Sequence, residues 1–142
     1  MAIIHPFRAL RAQPQFVNKV ATPPYDVMDT QEARALAQDN ELSFLRVTRS
    51  DLEFDDTHDA YADDVYTRAK TNLKKLIDQK ILIKEETPSL YIYELEMDGR
   101  VQTGVACCSS VEEYSHDTIK KHEKTRIEKE LDRTRHITAT RT

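Results

Sequence analysis

The sequence predicts an α+β fold, and three observations carry that reading. Across residues 61–79, Val65, Ala69, Leu73, Leu76 and Ile77 recur at helical spacing on one side, while Arg68, Lys70, Lys74 and Lys75 mark the other. Two β-rich runs, 90–97 and 101–108, flank Asp98-Gly99-Arg100. Asp-Gly between such runs is the strongest short-range hairpin signal, because the turn needs positive φ. Charged stretches at about 30–39 and 117–136 have the spacing of further helices. The expected architecture is a small antiparallel or mixed sheet containing the 90–108 hairpin, with the 61–79 helix packed on it.

Taken in order, Ile3, Ile4, Pro6, Phe7, Ala9 and Leu10 make an extended apolar opening in which Pro6 forbids a central paired strand. Residues 13–20 suit a short turn or helix that carries Phe16, Val17 and Val20 inward. Pro23 and Pro24 then stiffen a non-helical loop that presents Tyr25 and Asp26. By spacing alone Tyr25 reads as a half-buried anchor and Asp26 as a turn residue. Asp29 with Glu32 fits a capping box for the helix through Ala33, Ala35, Leu36 and Ala37. Leu42, Phe44, Leu45 and Val47 read as a central strand, and the acidic segment 51–64 as a solvated loop without the pattern of a calcium site. In the hairpin, Tyr91, Tyr93 and Leu95 share one face, with Val101, Thr103, Val105 and Cys107 expected to pair over it. Val111 to Tyr114 suit a helical turn capped by Ser109 or Ser110.

The length of 142 residues allows one domain, and the composition of 39% hydrophobic and 32% charged residues is globular but lean in core formers. A net charge of −4 leaves no global field to draw the chain to nucleic acid or an anionic membrane. The basic density between Lys120 and Arg135 suits a small phosphorylated ligand better than a duplex. Cys107 and Cys108 are adjacent, so bridging them would strain a strand. They read as reduced residues of a cytoplasmic protein. The stretch after Ile137 carries no core signal. The chain is therefore read as a single domain over 1–142, the N-terminal part of a longer one.

If the chain does chemistry, residues 119–136 are where it is expected. On an ideal helix His122, Arg126, Lys129 and Arg133 share a cationic stripe, and Ile119, Glu123, Ile127 and Leu131 form the stripe beside it. Glu123 is then one carboxylate among apolar positions, pulled up by desolvation and down by neighbouring cations, which is how general bases are set. The same charges also suit a solvated helix. Asp117 with Lys121, Glu123 with Arg126, Glu130 with Arg133 and Asp132 with His136 stand three or four apart, each pair worth roughly 0.2–0.5 kcal/mol.

With two glycines in the chain there is no phosphate loop and no dinucleotide fingerprint, and no Cys/His metal cluster is present. Several segments, however, resemble one family in order. They are Pro6-Phe7-Arg8-Ala9-Leu10-Arg11, Pro23-Pro24-Tyr25-Asp26-Val27, Leu42-Ser43-Phe44-Leu45, Leu90-Tyr91-Ile92-Tyr93, Lys120-Lys121-His122-Glu123-Lys124-Thr125-Arg126 and Asp132-Arg133-Thr134-Arg135-His136. Together they look like the start of the uncharacterised prokaryotic family catalogued as domain of unknown function 1015. The His122-Glu123 pair further resembles that of the free serine kinases of the ParB/sulfiredoxin-like superfamily, whose downstream Asp-Gly-His-His-Arg motif has no match here.

That resemblance implies a nucleotide-dependent phosphotransferase acting on a small hydroxyl-bearing substrate such as serine, with ATP or ADP and Mg as cofactors. This chain alone is expected to be inactive. Glu123 would take the substrate proton and His122 would orient it or touch phosphate. Lys121, Thr125, Arg126, Arg133 and Arg135, with Tyr25 and Asp26, would hold phosphate or substrate, bidentate guanidinium pairing being suited to such oxygens. Two other readings stay open, a ParB-like nucleotide- or nucleic-acid-binding module without catalysis and an inactive structural domain.

Overall fold

The structure, a computed structural model, describes residues 2–121 and 125–141. It divides into two compact units, one formed by Met1–Arg11 and Lys84–Lys124, the other by Ala12–Ile83 and Thr125–Thr142. The chain passes between them within β2 (Leu10–Ala12) and β3 (Leu82–Lys84). Helices and small two-stranded antiparallel sheets make the protein α+β.

The first unit holds the sheets. β1 (Ile4–His5) pairs antiparallel with β6 (Cys108–Ser109). β4 (Tyr91–Met97) and β5 (Arg100–Ala106) form the expected hairpin, and its turn residues Asp98 and Gly99 both have positive φ, 51° and 73°. The register differs from expectation. Tyr91 faces Ala106, Tyr93 faces Gly104 and Leu95 faces Gln102, so Val101, Thr103 and Val105 lie on the opposite face with Glu96, Glu94 and Ile92. A two-residue turn fixes that pairing, and one residue of slip reverses every side chain. Tyr91 anchors the unit through its hydroxyl, which donates to the Phe7 carbonyl and accepts from the Ala9 amide, both at 3.0 Å. α5 (Val111–Ser115) is capped by Ser110, and Cys107 and Cys108 are free thiols.

The second unit is helical. α1 (Val17–Val20) follows a 3-10 turn and buries Val20. α2 (Thr30–Ala37) starts with the capping box the sequence predicts: Asp29 accepts from the Glu32 amide at 2.8 Å, and Glu32 from the Asp29 amide at 2.9 Å. α4 (Asp63–Asp78) buries Val65, Tyr66, Ala69, Leu73 and Leu76, and leaves Ile77 exposed. Its partners are α3 (Leu45–Thr48) and α6 (Ile127–Thr140), so it packs on helices where a sheet was expected.

The expected strand at Leu42–Val47 is instead one helical turn, α3, followed by a 3-10 turn over Ser50–Glu53. A short apolar run does not distinguish buried strand from buried helix. Here Asn40 turns the chain, its carbonyl accepting from Ser43 and its side chain from Leu42. Arg46 fixes the turn to Asn40, the Ala37 carbonyl and Glu53, and Leu45 and Val47 fill the core.

The expected 117–136 helix is likewise shorter at its start. α6 begins at Ile127, because Arg126 is extended, with ψ 133°. Asp117 pairs with Lys120 in place of Lys121, and Arg133 with Asp132 in place of Glu130. No helix among the described residues is long and apolar enough to cross a membrane.

Candidate functional site

The helical unit contains a concave pocket of about 290 Å³, and α6 makes one wall of it. At 100° per residue, Lys129, Asp132, Arg133 and His136 fall on one face of α6, and Ile127 and Leu131 on the opposite face. The polar face is the one turned inward. Asp132 is 9% exposed, whereas Ile127 is 75% and Leu131 59% exposed. That inverts the usual arrangement of an amphipathic helix.

A buried carboxylate is costly unless its oxygens are satisfied. Asp132 meets that condition with Tyr66, whose hydroxyl donates at 2.8 Å, and Arg133, which donates at 3.0 and 2.6 Å. Burial, then the hydrogen bond to Asp132, push the Tyr66 phenol up to about 12. The Arg133 guanidinium lies over the Tyr25 ring, 4.3 Å from its centroid. A ring face attracts a cation, and this contact ties α6 to the proline loop. His136 Nε2 lies 2.8 Å from the Val47 carbonyl, which secures the next turn of α6 to α3.

The loop carrying Tyr25 and Asp26 is held by Arg49. All five of its N–H groups are used: Nε and Nη2 on Asp51, Nη2 also on Thr30, and Nη1 on the Tyr25 and Met28 carbonyls. Burial would raise the Asp51 carboxyl, but the hydrogen bonds from Arg49 and Thr30 outweigh it and hold the group below the ordinary carboxylate range. Asp51 is therefore a buried partner and not part of a solvated loop. Among the described residues, the pocket charges left without a hydrogen bond or ion pair are of opposite sign, Asp26 and Lys129.

The structure thus brings together three of the residues singled out from the sequence, Tyr25, Asp26 and Arg133. Arg135 lies over the Tyr66 ring at 4.5 Å, pairs with Asp63, and does not line the pocket. Arg126 pairs with Glu128 at the exposed start of α6, and Thr125 is exposed before it. Lys121 belongs to the other unit, where its ammonium sits 5.0 Å from the Tyr114 ring centroid. His122 and Glu123 lie outside the described residues.

Sequence reasoning passed over Arg49, Tyr66, Asp132 and His136 as site residues. Asp132 and His136 sat in the right stretch, but their spacing suggested a pair with each other, where each in fact reaches another element. No group of metal-ligating side chains occurs among the described residues.

No curated protein and no solved structure matches the chain. One family does, over residues 4–142, which is nearly the whole length and includes both the proline loop and the inward face of α6. The chain belongs to the family described as protein of unknown function (DUF1015).

Proposed function

We propose that the pocket is the small-molecule site of a nucleotide-dependent phosphotransferase acting on a small hydroxyl-bearing substrate such as serine. The observation that carries this reading is the inward polar face of α6. An unpaired ammonium, Lys129, and a guanidinium fixed on an aromatic ring, Arg133, line one cavity together with a free carboxylate, Asp26. A cavity of about 290 Å³ lies at the lower edge of ordinary ligand sites, so it suits an amino acid or a phosphate group better than a whole nucleotide.

Chemically, Lys129 and the Arg133 Nη1 edge not used by Asp132 would hold phosphate or carboxylate oxygens. Asp26 would take the substrate amine. Phosphoryl transfer asks little covalent work of a protein beyond such positioning and charge stabilisation. ATP or ADP with Mg would supply the phosphoryl group. The likeness of the His122-Glu123 pair to that of free serine kinases supports the same reaction class.

Two measurements test it. Calorimetric titration of L-serine and of ADP should show binding that weakens about tenfold in Arg133→Ala, the loss of a charge-assisted hydrogen bond. Phosphate transfer from ATP or ADP to serine is then assayed. Binding indifferent to Arg133 and Lys129, or active protein indifferent to Arg133→Ala, contradicts the proposal.

A further inference from the structure

We infer that His136 presents Nδ1 to the pocket as its proton acceptor, a role that rests on reading the pocket as a substrate site. A carbonyl oxygen can only accept, so the 2.8 Å contact with Val47 places the proton of the neutral ring on Nε2. The lone pair is then on Nδ1.

That Nδ1 is open follows by elimination. His136 is half-buried, Nδ1 has no protein partner, and no buried side-chain nitrogen or oxygen among the described residues is left without one. Nδ1 is therefore open to space, on a residue that lines the pocket. Glu123, the proton acceptor that the resemblance implies, lies outside the described residues, and among the described lining residues the competitors of His136 are occupied or unsuitable. Both Asp132 oxygens receive hydrogen bonds, as do both of Asp51, and Lys129 and Arg133 carry no lone pair. Asp26 is free but lies on an exposed loop.

His136 also stands three residues from Arg133 and seven from Lys129, on the same helix face. The acceptor is thereby placed beside the cations that would hold the anion. In the transfer step, the substrate oxygen bonds to the terminal phosphorus of a nucleoside di- or triphosphate and its proton passes to Nδ1. The bond from that phosphorus to the bridging oxygen breaks, and its electron pair leaves with the nucleotide.

The variant that separates this role from a structural one is His136→Gln, whose amide N–H can still reach the Val47 carbonyl but which lacks the Nδ1 acceptor. Long-range ¹H–¹⁵N spectra of the labelled chain should show a protonated Nε2 and an unprotonated Nδ1. L-serine should shift the Nδ1 resonance together with Arg133 Nε. His136→Gln should keep the unfolding midpoint and bind L-serine about two- to tenfold more weakly, the worth of one hydrogen bond.

A proton on Nδ1 in the free chain overturns the inference. So does L-serine binding that shifts Arg133 while leaving Nδ1 unmoved, with full affinity in His136→Gln. If L-serine moves neither Arg133 nor Lys129, the functional reading itself fails and this inference falls with it.

Discussion

α4 and α6 lie against each other in the same unit and bury opposite kinds of surface. α4 turns Val65, Ala69, Leu73 and Leu76 inward, as hydrophobic periodicity demands. α6 turns Asp132, Arg133 and His136 inward, carries exposed Lys129 at the pocket, and leaves Ile127, Leu131 and Ile137 outside. The contrast teaches that apolar spacing locates a helix without fixing which face is buried. When a polar face is buried with every carboxylate oxygen answered, the face has been shaped by something other than core formation.

The comparison can be broken most forcefully at α4. Leu73→Ala should cost about 2–5 kcal/mol in urea unfolding, as for other buried leucines. Ile127→Ala on the outer face of α6 should stay within about 0.5 kcal/mol. Equal losses would mean that α6 uses its apolar face after all. Next in size is Asp132→Ala, which strands Tyr66 and half-buried Arg133 and should cost about 1–3 kcal/mol. Asp132→Asn should cost less, since an amide oxygen still accepts from Tyr66.

The pH dependence sharpens the same contrast. Tyr66 titrates at about 12 in the folded chain, above its unfolded value near 10. Its contribution is whole below pH ~10 and is lost as the pH rises through ~12. Tyr66→Phe should remove that part of the alkaline loss of stability in pH-dependent unfolding. Asp51 works in the opposite sense, because its folded value is depressed. Its contribution is whole above the unfolded carboxylate value near 4 and is lost as the pH falls through the lower folded value. Comparing acid unfolding of the parent with Asp51→Asn reads this out, and superimposable profiles would show that the Arg49 contact contributes nothing.

Much of the fold was legible in residue types. The Asp98-Gly99 turn, the Asp29/Glu32 capping box, the Ser110 cap and the inner face of α4 each follow from local chemistry within a few residues. What failed was settled by contacts and turns that apolar spacing does not encode. Leu42 to Val47 became a helical turn through Asn40 and Arg46, and the hairpin register was set by its turn and not by the apolar residues. The candidate pocket was legible in part. Tyr25, Asp26 and Arg133 were singled out by type, but Arg49, Tyr66 and His136 are defined by contacts reaching from 2 to 89 positions along the chain.

The central claim is that the inward polar face of α6 is a ligand-binding wall. Amide chemical-shift mapping with inorganic phosphate and with L-serine tests it most directly. The account predicts shifts concentrated at Tyr25, Asp26, Lys129, Arg133 and His136, and lost in Arg133→Ala. Shifts along Ile127 and Leu131, or scattered over the surface lysines, would contradict it.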